Sequence, residues 1–500
     1  MPSILLTVKR FAWGGCLFAL PILAVGQNAF SPGGNDYLPV GALAGDQTFP
    51  HAAINSAGGF LVWQDNAPST NGLRIMAAQL SSSLTTSGTP FLVSTNKQRA
   101  GDREKPQVSL LAGGGAVFVW QDGKFGFQKI YARFCAANGS FLTGEILVNT
   151  YTNNYQINPA VATLADGSVV VVWASSGEDG SMQGVFAQRF SATGTKLGGE
   201  FQVNTFAQNN QRTPAVGGLA NGNFVVTWIS ELQRSSGSVD VYARIFNATG
   251  TAVSGEFPVN PGATNICANP VVAGSPQGGF AVAWSQNANA TLTAGSVAGV
   301  QVSGGQTARS PNGWDVFGRL YDSNGTALTA PVRLNTYTYG DQYAPQISAF
   351  GANYLTVWVS LGQDGSQEGI FGQFLTAGGG LQGVEFGVNT TTISRQIQPV
   401  VATDGINRFL VVWTSFQAGT SFDLFARAYD LIRLNTVPIA QGMRLSWNTQ
   451  PGCVYQVQIS TDGVTWTNLG APRTAVGFSD SVDVSATNGM AYYRVIRVVN

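Results

Sequence analysis

The chain of 500 residues has little charge, one histidine and four cysteines. Charged residues make up 10% of it, against about 25% in ordinary soluble domains, and its 26 basic residues balance its 26 acidic ones. So neutral a composition gives no electrostatic reason to expect a nucleic acid or an anionic membrane as partner. The single histidine excludes a histidine metal cluster and leaves His51 as the one candidate base of a Ser-His-Asp triad, without recognisable partners.

Residues 1–26 are predicted to be an export signal. Two basic residues, Lys9 and Arg10, precede the apolar stretch 11–25, and small residues then allow cleavage before Gln27. The stretch is short for a membrane anchor and contains a proline. We therefore expect a secreted or cell-surface protein with no membrane span after cleavage.

Cleavage would leave three cysteines, Cys135, Cys267 and Cys453. Three thiols cannot all pair within one chain, and no Cys-x-x-Cys spacing is present for a metal site. We expect buried, unpaired thiols, while a disulfide between two of the three stays open.

An internal repeat is the strongest pattern in the sequence. One copy, residues 158–205, contains NPAVA, DG, VVVVW, VFAQRF and EFQVNT in that order. Seven copies are visible, and the tryptophan that closes the second apolar run marks each of them: Trp63, Trp120, Trp173, Trp228, Trp284, Trp358 and Trp413. Their spacings are 57, 53, 55, 56, 74 and 55 residues, which indicates one structural unit used seven times.

Each copy contains four short runs of strand composition separated by Gly, Asn and Asp turns. The second run, such as residues 169–173, is apolar at every position, so both of its faces must be covered. Four strands used seven times favour an all-β fold, a seven-bladed β-propeller of four-stranded blades over residues 27–430. An open solenoid of β-hairpins is the alternative.

The start of the mature chain is predicted to close the ring. Residues 37–40 precede the first copy as a fourth strand would, and the seventh copy lacks the usual glycine linker after residues 424–429. We expect residues 37–40 to complete the last blade, because pairing of the two chain ends removes exposed strand edges.

The tail, residues 431–500, has a different pattern. Its strands alternate apolar and polar residues, with Trp447 early, Tyr455 central and Tyr493 late. These features are typical of a small C-terminal β-sandwich, similar to a fibronectin type III module.

The repeat motifs resemble those of large secreted bacterial proteins. In that family the repeats are identified as β-propeller blades, and a fibronectin type III-like module often follows. The resemblance covers nearly the whole mature chain and implies the same two-part architecture, but it brings no catalytic residues with it.

Residues that recur in every copy are expected to be scaffold. The seven tryptophans are predicted to be core. The polar residue that follows an Ala or Gly in the third run is predicted to hydrogen-bond between blades, as Arg133, Gln188, Arg244, Arg319, Gln373 or Arg427; a ring of ligand contacts is the alternative.

A binding site is expected where the repeat is broken. Residues 286–313 are inserted between the second and third runs of the fifth copy, and residues 97–105 form a charge cluster between the first and second copies. Both lie at one rim, because strand directions alternate, and loops carry function. The candidate ligand-binding residues of that rim are Asp122, Lys124, Glu178, Asp179, Trp314, Asp315, Tyr337, Tyr339, Asp341, Tyr343 and Asp364.

Two functions remain open. The first is a binding protein whose partner is an extracellular glycan or a surface protein; the alternative is a secreted polysaccharide hydrolase or lyase. Two carboxyl groups about 5–10 Å apart at the centre of the ring would favour the hydrolase. No cofactor is expected, and calcium at the Asp-Gly turns stays an alternative although the dense carboxylate spacing of a calcium loop is missing.

Overall fold

The structure of the chain is a computed structural model that describes residues 6–8, 30–32, 35–67, 72–95, 100–262, 266–287, 313–416, 421–449, 451–462, 465–485 and 491–498. All regular elements in these segments are β-strands, as the composition predicts. Within the same segments there is no helix of the length and apolarity needed to cross a membrane.

The first six repeats each contribute four strands, which pair antiparallel in chain order. In repeats 1 to 3 they are β3 (Asp46–Asn55), β4 (Gly58–Asn66), β5 (Arg74–Leu80), β6 (Phe91–Leu92), β7 (Asp102–Leu110), β8 (Ala116–Gly123), β9 (Lys129–Cys135), β10 (Ile146–Leu147), β11 (Gln156–Thr163), β12 (Val169–Ser176), β13 (Gln183–Phe190) and β14 (Lys196–Gln202). In repeats 4 to 6 they are β15 (Gln211–Gly218), β16 (Phe224–Glu231), β17 (Val239–Phe246), β18 (Phe257–Pro258), β19 (Ile266–Gly274), β20 (Phe280–Asn287), β21 (Trp314–Tyr321), β22 (Val332–Arg333), β23 (Gln342–Phe350), β24 (Asn353–Leu361), β25 (Glu368–Leu375) and β26 (Leu381–Gly387). One parallel contact, Val239 with Ile266, joins the sheets of repeats 4 and 5.

Repeat 7 takes its fourth strand from the other end of the chain. Its own strands are β27 (Gln396–Thr403), β28 (Arg408–Ser415) and β29 (Asp423–Leu431), and β2 (Phe30–Pro32) pairs antiparallel with β29. Tyr37 continues this pairing, since its N–H donates to the carbonyl of Ala426 (3.0 Å) and its own carbonyl accepts the Ala426 N–H (2.8 Å). The predicted pairing lay at residues 37–40; the structure has it at β2 and Tyr37.

The second strand of each repeat is covered on both faces, which confirms the expectation from its apolar run. In β12, Val169 and Trp173 pack against repeat 2, whereas Val170 and Val172 pack against repeat 4. Such a strand cannot alternate apolar with polar residues, because neither face meets water. All seven repeat tryptophans are 0% exposed, so their prediction as core residues is also confirmed.

The hydrophobic cores lie between neighbouring sheets, and the last sheet is a neighbour of the first. Each first strand contacts the first strand of the next repeat, and β27 contacts β3. Trp63 of repeat 1 shares a core with Leu410 and Val412 of repeat 7. The fold of the repeats is therefore all-β and β-propeller-like.

A bulge in each first strand fixes one residue in the left-handed region. The residue before the strand's proline has φ between 48° and 53° in all seven repeats: Phe49, Lys105, Asn158, Thr213, Asn269, Ala344 and Gln398. Non-glycine residues rarely adopt this conformation, so the surroundings must stabilise it. The N–H of Lys105 and that of Asn158 each donate to a glutamine side chain of the preceding repeat, at 2.8 and 2.9 Å.

The recurring arginine does link neighbouring repeats, as predicted. Arg133, Arg244, Arg319 and Arg427 donate from Nη1 to the carbonyls of Val93, Val203, Val259 and Val388 in the preceding repeat, at 2.7–2.9 Å. Glutamine is different: Gln188 bonds to the carbonyl of Gly198 within its own repeat. In that repeat Lys196 Nζ donates instead to the carbonyl of Val148 in the preceding repeat, at 2.7 Å.

The tail forms two sheets that share one core. Its strands are β30 (Leu434–Ile439), β31 (Gly442–Asn448), β32 (Val454–Ser460), β33 (Thr467–Asn468), β34 (Arg473–Thr474), β35 (Ser479–Ser485) and β36 (Ala491–Val498). Trp447 of one sheet and Tyr455 of the other meet in that core. The predicted signal lies outside the described residues except for β1 (Leu6–Val8), which pairs with β36. Arg497 ties the tail to repeat 7 through a 2.6 Å ion pair with Asp430.

We expect Arg427→Gln to destabilise the protein, because it removes a charged hydrogen bond between buried groups of repeats 6 and 7. The loss should be about 1.5–3 kcal/mol in the free energy of unfolding, measured as a lower urea midpoint. Arg444→Gln is the control: the Arg444–Asp483 pair is exposed, so its removal should lower the urea midpoint much less than Arg427→Gln does. Equal losses in the two variants would contradict the inter-repeat role.

Candidate functional site

Two sets of loops emerge at the same edge of the sheets. Because the strands of a repeat alternate in direction, the hairpin between its second and third strands lies at the same edge as the connection from its fourth strand to the next repeat. We call this edge the upper rim. Its described loops include 124–128, 148–155, 177–182, 203–210, 232–238, 335–341, 362–367 and 389–395. Most of the insertion at 286–313 and part of the charge cluster at 97–105 lie outside the described residues.

Several predicted ligand-binding residues make contacts inside the sheets. Asp122 is buried and forms an ion pair with Arg103 at 3.5 Å. Trp314 is also buried, and its backbone N–H donates to Asp341 Oδ1 at 3.0 Å. These contacts hold strand ends together at the upper rim.

Two further candidates contact the asparagine that recurs in the Val-Asn segment of the repeats. Asn335 Nδ2 donates to Asp315 Oδ1 at 2.6 Å, and Asn389 Nδ2 donates to Asp364 Oδ2 at 3.3 Å. The same asparagines accept a backbone N–H from the third strand of their own repeat. Asp315 and Asp364 thus help to order the end of a fourth strand.

Tyr343 lies in a cluster of charged side chains. Burial raises its pKa above the usual range, Glu368 and Asp341 add to the increase, and Arg395 opposes it. Arg395 donates two hydrogen bonds to Glu368, at 3.0 and 2.8 Å. Sequence reasoning selected Tyr343 and Asp341 but missed Glu368 and Arg395, which lie 27 residues apart along the chain.

Glu178 faces a second carboxyl group. The carboxyl group of Glu200 on β14 lies beside it, and Asp179 is nearby. Burial, followed by the contact with Glu200, raises the pKa of Glu178 to about 9. Two carboxyl groups in direct contact are closer than the roughly 5 Å that a retaining glycosidase requires between its acid and its nucleophile.

Several large apolar side chains of the upper rim are exposed. Phe125 is 96% exposed and Phe127 69% exposed, on a hairpin fixed by the bond from the Phe127 N–H to the Lys124 carbonyl (2.9 Å). Sequence reasoning selected the exposed Lys124 and missed both phenylalanines, although Phe-Gly-Phe is unusual among hairpins built of Gly, Asp and Ser. Other exposed side chains of this rim are Met182 (50%), Leu232 (38%), Tyr339 (53%) and Ile393 (73%). The ring of Tyr339 lies 6.5 Å from that of Tyr337.

Charged side chains at this rim are largely paired with one another. The pairs are Arg74–Asp65, Arg103–Asp122, Arg212–Glu231, Arg234–Asp240, Arg333–Asp315 and Arg395–Glu368, at 2.6–3.8 Å. Paired charges neutralise one another locally, so they attract a charged ligand weakly. In the described part of the chain, His, Cys, Asp and Glu side chains form no group of three or more that could hold a metal ion.

Two kinds of titratable residue considered for chemistry are not freely exposed: His51 is partly buried, and the three cysteines are buried. Nδ1 of His51 accepts the N–H of Val108 in repeat 2 at 3.2 Å, so the imidazole is a neutral link between two repeats. The thiols of Cys135, Cys267 and Cys453 are buried and unpaired, as expected. Burial raises the pKa of Cys135 to about 11, which keeps this thiol protonated and unreactive at neutral pH.

Comparison with known proteins gives distant structural neighbours. No family model and no curated protein matches the chain. A PL25 ulvan lyase has a TM-score of 0.47 at 12% identity, over 77% of this chain and 94% of its own. A second polysaccharide lyase has 0.47 at 10% identity, over 78% and 90%. The α-L-arabinanase of Penicillium chrysogenum has 0.41 at 15% identity, over 65% and 92%.

The names of these neighbours correspond to the hydrolase or lyase hypothesis rather than to the binding hypothesis. Their TM-scores lie below 0.5 and their identities at 15% or lower, so the likeness carries no argument about the activity of this chain.

Stability is expected to fall in acid through His51. Burial lowers its pKa from 6.5 to about 4, so folding favours the neutral ring. The resulting stabilisation is complete above pH 6.5 and is lost as the pH falls through 4. His51→Gln keeps an acceptor for the Val108 N–H but cannot be protonated. Its melting temperature should therefore decline less between pH 6.5 and 4 than that of the wild type; parallel melting curves would contradict the assignment.

Proposed function

We propose that residues 27–430 form a closed seven-bladed β-propeller and residues 431–500 a fibronectin type III-like β-sandwich, exported by the signal at residues 1–26. The cyclic order of contacts, in which β27 meets β3, supports closure. The shared core of the two tail sheets supports the sandwich. An open solenoid would separate the first repeat from the last.

We further propose that this protein binds an extracellular polysaccharide of low charge at the upper rim. The observation that carries the proposal is the contrast at that rim: large apolar and aromatic side chains are exposed there, whereas its charged side chains are largely paired. Exposed apolar groups gathered on one face of a protein mark interaction surfaces.

The chemistry of a sugar ring fits this contrast. The faces of a pyranose carry C–H groups, which pack on aromatic rings such as Phe125, Phe127 and Tyr339. The edges carry hydroxyl groups, which require neutral hydrogen-bonding partners. Exposed amides at the same rim, among them Asn153 and Gln208, supply such partners. A polymer rich in uronate or sulfate would instead need several unpaired cations.

A polysaccharide hydrolase or lyase is the second candidate, supported by the cluster at Tyr343. A phenol, two carboxyl groups and a guanidinium meet there, close to the start of a first strand. Arg395 donates one hydrogen bond to each carboxyl oxygen of Glu368, so both of these oxygens are already engaged within the protein. We therefore prefer the polysaccharide-binding function to the hydrolase or lyase function.

We expect Phe125→Ser combined with Phe127→Ser to weaken binding of a neutral polysaccharide about 10-fold or more, since each aromatic contact is worth about 0.5–1.5 kcal/mol beyond its buried area. The measurement is calorimetry or affinity electrophoresis with a panel of neutral and uronate-containing polysaccharides.

The matched control is Leu142→Ser combined with Leu328→Ser, which removes two exposed apolar side chains (52% and 58%) from the opposite rim. Equal affinities of the two double variants would contradict the upper rim as binding face. Release of reducing ends or unsaturated products, abolished by Tyr343→Phe, would establish the second candidate instead.

A further inference from the structure

One hairpin position of the upper rim is occupied by glutamine in two repeats and by glutamate in a third. Gln233 and Gln363 follow the buried serines Ser230 and Ser360 by three residues, and Glu178 follows Ser175 by the same interval. The three side chains occupy equivalent places in repeats 4, 6 and 3.

The glutamines donate to a glutamate of their own repeat. Gln233 Nε2 lies 2.9 Å from Glu256 Oε2, and Gln363 Nε2 lies 2.8 Å from Glu385 Oε1. In repeat 3 the partner glutamate is Glu200. The contact is thus the same in the three repeats, while its donor is an amide in two of them and a carboxyl group in one.

The partner glutamates also fasten the preceding repeat. Glu200 Oε2 accepts the N–H of Thr150 at 2.5 Å, and Glu385 Oε2 accepts the N–H of Thr336 at 2.5 Å. Glu256 accepts the N–H of Thr205 in the same way. A hairpin, a glutamate and the connection from the preceding repeat are therefore linked in series at the upper rim.

A count of donors shows what position 178 requires. An amide supplies two N–H donors, whereas an ionised carboxylate supplies none. Glu178 Oε2 and Glu200 Oε1 are both buried, and neither oxygen has a hydrogen-bond donor among the described residues. Two such oxygens in contact need a proton between them, since otherwise two buried negative charges repel each other.

We propose that Glu178 and Glu200 share one proton, and that its loss at alkaline pH releases the upper rim between repeats 2 and 3. Glu178 then acts as a protonated substitute for the glutamine of repeats 4 and 6, and it makes this one junction sensitive to pH. The junctions closed by Gln233 and Gln363 lack that sensitivity, because an amide does not titrate.

The groups around the pair agree with this assignment. Asp179 on the same hairpin raises the pKa of Glu178, and the hydroxyl of Ser175 lowers it through a hydrogen bond. Lys196 on β14 interacts electrostatically with Glu200. The pKa of Glu178 near 9 means that the folded chain holds the proton where an unfolded chain, with its pKa near 4.5, has lost it. Stability therefore falls as the pH rises from about 4.5 to 9.

Two reciprocal substitutions test the proposal without any ligand. Glu178→Gln installs the residue of repeats 4 and 6, and Gln363→Glu creates a second carboxyl pair with Glu385. The melting temperature of each variant and of the wild type is measured from pH 5 to pH 10. Hydrogen exchange of peptides covering residues 145–155 and 331–341 is followed in parallel, as protection relative to the unfolded chain.

We expect Glu178→Gln to melt about 1–3 °C above the wild type at pH 9 and to match it at pH 5. Protection of residues 145–155 should fall at least about 3-fold between pH 6 and pH 9.5 in the wild type and stay constant in Glu178→Gln. Gln363→Glu should cause the same loss of protection at alkaline pH in residues 331–341. Parallel pH profiles of wild type and Glu178→Gln, or a Gln363→Glu profile without a new alkaline loss, would overturn the proposal.

Discussion

Pairing of the two ends of the repeat region is the constraint on which the rest of the structure depends. The apolar second strands pack on both faces, so the first and last sheets each need a neighbour as much as the sheets between them do. Tyr37 and Ala426 bring these sheets together through two backbone hydrogen bonds. The core shared by Leu61 and Val412 is then buried instead of exposed. Contact between the first and last sheets thus covers two sheet faces, and pairing of the chain ends satisfies strand edges that would otherwise meet water.

A small set of polar contacts holds most repeats to the preceding one, and some local losses are compensated. Where arginine is replaced by Gln188, Lys196 bonds to the preceding repeat instead. Asn260 is followed by proline, which has no N–H to donate. The next repeat correspondingly has Pro331 at the position where others have the glutamate that would accept this N–H. Asp36, from the N-terminal segment, accepts the N–H of Thr390 for repeat 7. Such matched changes indicate that these contacts hold neighbouring repeats together.

Periodicity predicted the fold well and the candidate site less well. The tryptophans, the doubly covered strands and the arginine bonds recur at fixed spacing, so one copy explains the others. Several side-chain positions at the upper rim do not follow the repeat: Glu368 meets Arg395, while Asp122 and Trp314 face inward. Spacing along the chain does not reveal such contacts, because they depend on how loops from different repeats approach one another. The exposure of Phe125 likewise depends on the shape of one hairpin.

A crosslink between the two ends tests closure most directly. Tyr37 and Ala426 form a hydrogen-bonded antiparallel pair, in which Cα atoms lie about 5.5 Å apart, a distance that a disulfide spans. Tyr37→Cys combined with Ala426→Cys should therefore form an intramolecular disulfide under mild oxidation, identified as a linked peptide by mass spectrometry. It should raise the melting temperature above that of either single variant, since so long a loop is worth on the order of 5 kcal/mol. Linked peptides formed only between molecules, or none at all, would contradict the closed ring.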